Sequence, residues 1–207
     1  MDELDGDGSR RMELRRRDVL KAVAASVVAG AAASTGSGCA QVAGAGDRFP
    51  IANERETAMN SQPLMMVRIT AAPPQKLGTV PHGIRSIVPV TGGDFEGPRL
   101  RGAVLPEGGD WLLVPSDGVL ELDLRITLET DDHALIYMTF QGLRHGPPDV
   151  IAALGRGEVV DPARYYFRTL PRFETSTETY AYLNRVITVG VGEARPDGAI
   201  HKIYEVL

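Results

Sequence analysis

The sequence predicts an all-β protein: a single antiparallel β-barrel of about eight to nine strands, calycin-like or up-and-down, with one or two short helices. Short runs in which apolar and polar residues alternate recur through residues 64–207, as expected for strands with one buried face. Clusters of Gly, Pro and Asp separate these runs at fairly regular intervals. Closure into a barrel is favoured because it leaves no unpaired edge strand.

The first half of the predicted domain contributes most of the strands. The clearest lies between the Ser116-Asp117-Gly118 turn and Glu129, where Leu and Ile side chains share one face and charged side chains the other. The predicted strands in this half are 64–70, 84–90, 99–105, 111–114 and 119–129.

The second half contains further strands and both predicted helices. Pro147-Pro148 introduces a short helix that ends at Gly155, which follows the usual preference for proline at the start and glycine at the end. Thr175 and Glu178 are spaced as a capping box for a helix that runs to Leu183. The remaining predicted strands are 134–141, 165–170, 185–191 and 199–206.

Residues 1–39 are typical of an export signal. Arg16 and Arg17 precede Asp18-Val19-Leu20-Lys21, and the following run, 22–33, is almost entirely Ala, Val and Gly. This run is shorter than the ~20 residues of a membrane span. It resembles a twin-arginine signal, by which bacteria export folded proteins, so we expect an exported protein.

Cys39, the only cysteine, follows Gly36-Ser37-Gly38 and resembles the lipidated cysteine of a lipobox. The alternative is ordinary cleavage nearby, for example after Ala31-Ala32-Ala33. The two interpretations predict a membrane-anchored lipoprotein and a periplasmic protein, respectively. Residues 40–63 are polar and rich in small side chains, and are expected to form a flexible linker to a barrel domain at 64–207.

Composition excludes several classes of function. The chain carries 22 Lys and Arg against 27 Asp and Glu, a net charge of −5, and has no basic stripe for nucleic acid. No second apolar run follows the leader, so membrane contact is expected only through the signal or a lipid anchor. The four histidines are scattered and no nucleotide-binding fingerprint is present, so neither a metal nor a cofactor is predicted. A small organic ligand is the expected partner, and self-association into a homo-oligomer is a further expectation.

Charged residues on the 119–129 strand are the first candidates for a site. Asp123 and Arg125 are two residues apart and therefore project to the same side. If that side is the barrel interior, the two charges can orient or deprotonate a ligand. The alternative is that this face meets solvent and the leucine face forms the core. Tyr137 lies on the expected hairpin partner and either joins the same site or packs across the strands.

Four other residues are candidate ligand contacts. Arg168 shares a strand face with Tyr166, and the pair suits an anionic ligand or an exposed ion pair. Glu96 flanks a glycine-rich loop and either contacts a ligand or fixes the turn. Trp111, the only tryptophan, is expected to line a cavity or the core.

Five segments together resemble a known family. They are Ile87–Pro98, Leu122–Arg125, Ala134–Tyr137, Tyr165–Glu174 and Tyr182–Val186. In this order they resemble the domain of unknown function 3237 family, with Asp94 standing where relatives more often carry Thr.

The resemblance covers essentially all of residues 64–207 and implies a small antiparallel β-barrel with no established activity. It also implies that Glu96, Asp123, Arg125, Tyr137 and Arg168 belong to a shared interior or rim site.

The sequence is compatible with three functions. The first is an exported barrel that holds a small molecule in its interior. The second is an enzyme without metal or cofactor, an isomerase, lyase or hydrolase acting on a carbonyl compound. In it Asp123 or Glu96 is the base, Tyr137 the acid and Arg125 the stabiliser of negative charge. The third is a structural envelope protein whose own side chains fill the barrel.

Overall fold

The computed structural model describes residues 59–207. The predicted export signal, Cys39 and the predicted linker up to residue 58 lie outside the described residues. Within them, the first strand begins at Ser61, slightly before the predicted domain start at Leu64. The strands are β1 Ser61–Ala71, β2 Gln75–Val80, β3 Gly83–Glu96, β4 Arg101–Val104, β5 Gly109–Val114, β6 Leu120–Thr130, β7 Leu135–His145, β8 Tyr166–Glu174, β9 Thr188–Arg195 and β10 Gly198–Val206.

The strands form a closed antiparallel barrel, which confirms the predicted fold class. Neighbours pair in the order β1, β10, β9, β8, β7, β6, and the β1–β3 pairing closes the ring. The short strands β4 and β5 lie one after the other between β3 and β6 and together fill one of eight positions. The remaining strand, β2, forms a hairpin with β3 outside this ring.

The aliphatic face of β6 points into the barrel. Leu122, Leu124, Ile126 and Leu128 are buried and pack with the inward residues of the other strands, among them Ile136, Met138 and Phe140 of β7. Burying one such side chain stabilises a fold by about 1.5–3 kcal/mol, whereas an exposed ion pair contributes at most about 1 kcal/mol. This difference determines which face of the strand turns inward.

Asp123 and Arg125 consequently lie on the outer wall of the barrel. Their side chains form an ion pair, Nη2 to Oδ2 3.0 Å, and are 38% and 54% exposed. The prediction that these two charges face an enclosed interior is therefore wrong. The strict alternation of β6 allowed either face to turn into the barrel, and packing against β7 determines which one does.

Short helices lie between the strands, as predicted. The predicted capping box of Thr175 and Glu178 is wrong, because the helix follows Thr177 and the Thr175 hydroxyl donates to the Leu135 carbonyl. An α-helix, α1, spans Pro148–Gly155 and buries Val150. Two 3₁₀ helices span Pro162–Arg164 and Glu178–Arg185. The longer one buries Tyr180 and Leu183 at the barrel end where the β6–β7 turn lies, and the Tyr180 hydroxyl donates to Asp132 Oδ1 at 2.9 Å. None of the helices in residues 59–207 combines the length and hydropathy required to cross a membrane.

Candidate functional site

The end of the barrel opposite the β6–β7 turn contains an interior cavity of about 330 Å³. Its mouth is formed by Pro73-Pro74 and the β9–β10 turn. Most of its wall is aliphatic or aromatic, and the volume is within the range of small-molecule sites. Its principal lining residues are Ile69, Val88, Val90, Asp110, Leu112, Leu120, Leu122, Leu124, Arg144, Phe167, Arg195, Asp197, Ala199 and His201.

Asp110 places a carboxyl group in this apolar surrounding. It lies on β5 opposite Leu124 of β6, and only 9% of it is exposed. The main-chain amide of Asp123 donates to its Oδ1 at 3.0 Å. Burial nevertheless raises the pKa of Asp110 from 3.8 to about 7, because desolvation outweighs this hydrogen bond and the nearby charge of Arg144. A carboxyl group with such a pKa exchanges protons near neutral pH.

Arg144 brings the opposite charge to the same cavity from β7, where it pairs with Leu120. Its Cζ lies 5.6 Å from the ring centroid of Phe167, a cation–π distance. Burial lowers the pKa of Arg144, but a guanidinium stays protonated at any physiological pH. Among residues 59–207, no ion pair within 4.0 Å joins Arg144 to Asp110 or to another carboxylate.

His201 completes the polar part of the cavity from β10. It is 1% exposed, and its ring lies 4.7 Å from the centroid of Phe140 and 5.2 Å from that of Phe167. Burial lowers the pKa of His201 from 6.5 to about 4, so the imidazole is neutral at pH 7. Its Nδ1 atom has no hydrogen-bond partner in the structure, which is unusual for a buried polar atom.

Most of the site residues predicted from the sequence meet on the outer wall instead. Trp111, Asp123, Tyr166 and Arg168 line a surface groove of about 750 Å³ across β5–β9. Asp123 also lines an adjoining groove of about 670 Å³ with Arg125 and Tyr137. The structure therefore brings six of the named residues to one surface, which is the outer side of the barrel wall and not the predicted interior.

Of the two other predicted residues, Glu96 lies within the described part of the chain. Glu96 ends β3 beside Arg101 of β4, in a shallow depression near Asp131 and Tyr180. It is exposed and does not join the acid–base group predicted for it with Asp123, Tyr137 and Arg125. Cys39 lies outside the described residues, so its lipidation stays a prediction.

Comparison with known proteins identifies the family. The family model described as a protein of unknown function, DUF3237, matches residues 59–206. The chain belongs to the DUF3237 family.

Members and structural neighbours of the DUF3237 family share the barrel. A UPF0311 protein of Rhodopseudomonas palustris is 38% identical over 130 residues, which are 63% of this chain and 85% of that protein. Its crystal structure, described as a conserved protein of unknown function, aligns with a TM-score of 0.71 at 33% identity, covering 72% of this chain and 99% of that one. A β-barrel-like protein from Acinetobacter baumannii aligns with a TM-score of 0.64 at 38% identity, covering 75% and 100% of the two chains.

The description of one structural neighbour includes the word enzyme. A structure described as an enzyme from Penicillium herquei aligns with a TM-score of 0.56, covering 75% of this chain and 99% of that one. The two sequences are 21% identical, so this likeness shows a common fold alone.

The ionisable groups inside this DUF3237 barrel were absent from the sequence prediction, although signals for them exist. Asp110 alternates with Leu112 on the face opposite Trp111, but it follows the Gly108-Gly109 turn and lies just outside the predicted strand 111–114. Arg144 lies beyond the predicted end of its strand at residue 141, whereas β7 continues to His145. His201 shares an inward face with Ile203, which the alternation of the last strand indicates.

Proposed function

We propose that this DUF3237 protein binds a small, largely apolar organic molecule inside the barrel, at the cavity that contains Asp110, Arg144 and His201. The observation that carries the proposal is the placement of three buried or half-buried ionisable side chains among apolar residues in a cavity of about 330 Å³, whose rim also carries Arg195 and Asp197. Burying such groups is costly, so a fold that retains them is expected to use them.

The size of the cavity bounds the ligand. Its volume equals that of about eleven water molecules at ~30 Å³ each. A single or fused ring with one polar substituent fits such a space. The apolar wall holds the body of the ligand, while the three polar side chains fix its orientation.

The outer grooves support binding less well. They are larger, but most of their charged residues already pair with one another or bond to the main chain. Arg125 pairs with Asp123, Arg168 donates to the Phe167 carbonyl and Arg85 donates to the Trp111 carbonyl. Exposed groups of this kind contribute little binding energy because solvent screens them.

A blocking substitution tests the site. Ala199 lines the cavity, so Ala199→Phe places a ring in the space proposed for the ligand. Ligand-observed NMR with a set of single-ring and fused-ring compounds should give hits for the native full chain that are lost in Ala199→Phe. The outer-wall variant Arg125→Gln is the matched control and should retain them. Loss of the hits in Arg125→Gln but not in Ala199→Phe would place binding on the outer wall.

Acid–base catalysis without a cofactor is a second candidate, favoured by the pKa of about 7 at Asp110. In this scheme the Asp110 carboxylate removes a proton from the carbon next to a carbonyl group, and Arg144 stabilises the enolate oxygen. Return of the proton from Asp110 to the γ-carbon of a β,γ-unsaturated ketone completes a double-bond isomerisation, whereas its return to the α-carbon regenerates the substrate.

Proton exchange tests this scheme directly. In deuterated buffer, native protein should introduce deuterium at the α-carbon of a bound ketone, as followed by NMR. Asp110→Asn should bind the same ketone without exchange. Binding without exchange in the native protein would leave the barrel as a binding protein.

We also propose that the protein acts outside the cytoplasm. The support is the arrangement of Arg16, Arg17 and the following apolar run. From the sequence alone we also propose a lipid anchor at Cys39 and assembly into a homo-oligomer.

A further inference from the structure

We infer that the ligand of the interior cavity is a monoanion, a carboxylate attached to an apolar body, whose charged end binds Arg144. This inference rests on the proposed function and adds the chemical class of the ligand. It starts from the position of the Arg144 guanidinium, which lines the cavity without an ion-pair partner among the described residues.

The arrangement of Asp110 explains why Arg144 is left for a ligand. Asp110 is the only carboxylate among the buried lining residues of the described chain, and its Oδ1 accepts the main-chain amide of Asp123. It influences Arg144 through space, yet the two groups are not within the 4.0 Å of an ion pair. No carboxylate of the described residues therefore pairs with Arg144, and a ligand carboxylate can take that place.

The charges around the cavity also favour an anion. Asp110 is largely protonated below neutral pH and His201 is neutral, so the interior carries the single positive charge of Arg144. At the rim, Arg195 pairs with Glu193, and Asp197 is exposed in the β9–β10 turn, where solvent screens its charge. A ligand with one negative charge neutralises the interior.

The carboxyl group of Asp110 suits the same ligand. A carboxylate has two oxygen atoms, one for the guanidinium of Arg144 and one for the protonated Oδ2 of Asp110. Phe167 contacts both Arg144 and His201 and forms an apolar wall beside them. The body of the ligand then lies against the leucines of β5 and β6.

A matched pair of probes tests the charge. Binding of 2-naphthoate and of 2-naphthamide to the native full chain is measured by calorimetry at pH 6. The carboxylate should bind at least about tenfold more tightly, since a hydrogen bond to a charged group is worth that difference or more. Arg144→Gln should remove this preference, and Arg144→Lys should restore part of it. The outer-wall control Arg168→Gln should leave it unchanged.

The outcomes separate the two proposals. Equal binding of both probes, blocked by Ala199→Phe, would overturn the anion inference and leave interior binding intact. Binding of neither probe would contradict both proposals. A preference lost in Arg168→Gln rather than in Arg144→Gln would place the anion site on the outer wall and also contradict both. Should Arg144→Gln fail to fold, the native comparison and Arg144→Lys still decide the matter.

Discussion

The main-chain amide of Asp123 donates a hydrogen bond of 3.0 Å to the Oδ1 atom of Asp110. The side chain of Asp123 lies on the opposite side of the wall and pairs with Arg125. One residue therefore takes part in both surfaces of the barrel, through its main chain inside and its side chain outside. Its contribution to the interior is to hold the carboxyl group of Asp110 in place.

The raised pKa of Asp110 makes stability fall as pH rises. Between pH 3.8 and about 7 the unfolded chain has lost this proton and the folded chain retains it, so deprotonation opposes folding. At low pH the protonated Asp110 contributes roughly 4 kcal/mol to the free energy of unfolding, and this contribution is lost once the pH passes about 7. Asp110→Asn cannot ionise, so its free energy of unfolding relative to native protein should increase by about that amount from pH 4 to pH 8. Urea denaturation at several pH values measures this difference.

Asp94→Asn is the control for this experiment. Asp94 is exposed on β3 and lies 4.0 Å from Arg68, so its substitution should change stability by less than about 1 kcal/mol at every pH. A difference between Asp110→Asn and native protein that does not vary with pH would contradict the raised pKa.

His201 has the opposite dependence. Its folded pKa is lowered from 6.5 to about 4, so its contribution to stability is present above pH 6.5 and is lost as the pH falls through 4. The loss is roughly 3 kcal/mol. The free energy of unfolding of His201→Gln, relative to that of native protein, should therefore increase by this amount when the pH is lowered from 7 to 4. Denaturation at several pH values measures it. His82 lies in the exposed β2–β3 turn, so His82→Gln should show no such increase in relative stability. An equal increase in His82→Gln would show that the effect is not specific to His201.

The interior residues Asp110, Arg144 and His201 show which features of the structure the sequence could not predict. Periodicity correctly predicted the class of fold, the alternation of β6 and most strand positions, because turn residues and apolar spacing are local signals. Which face of β6 turns inward depends on residues of β7 such as Met138 and Phe140, and a barrel brings them together only after closure. The meeting of Asp110, Arg144 and His201 depends on the pairing of strands distant in sequence, which no local pattern encodes.

Gly192 leaves room for the ring of Phe167, which lines the cavity. It lies opposite His201 on β9, and a Cβ atom there would come within 2.5 Å of Cγ of the Phe167 ring. Gly192→Ala must therefore displace the ring, which should cost about 1–3 kcal/mol of stability and weaken binding of a cavity ligand. Chemical denaturation and calorimetry with 2-naphthoate measure the two effects.

Gly155→Ala is the matched control for Gly192→Ala. No heavy atom lies within 4 Å of the position that its Cβ would take at the end of α1, so stability and binding should be nearly unchanged. If Gly192→Ala behaved like this control, Phe167 would have to be free to move, and the proposed role of Gly192 would be wrong.

Export through the twin-arginine route depends on Arg16 and Arg17. Lysine keeps the positive charge but lacks the planar guanidinium, so Arg16→Lys combined with Arg17→Lys should trap the protein in the cytoplasm. Cell fractionation followed by immunoblotting measures the distribution. The control, Arg10→Lys combined with Arg11→Lys, makes the same chemical change outside the motif and should leave export unchanged. Equal export of both double variants would show that positive charge alone suffices and that the segment is a general secretory signal.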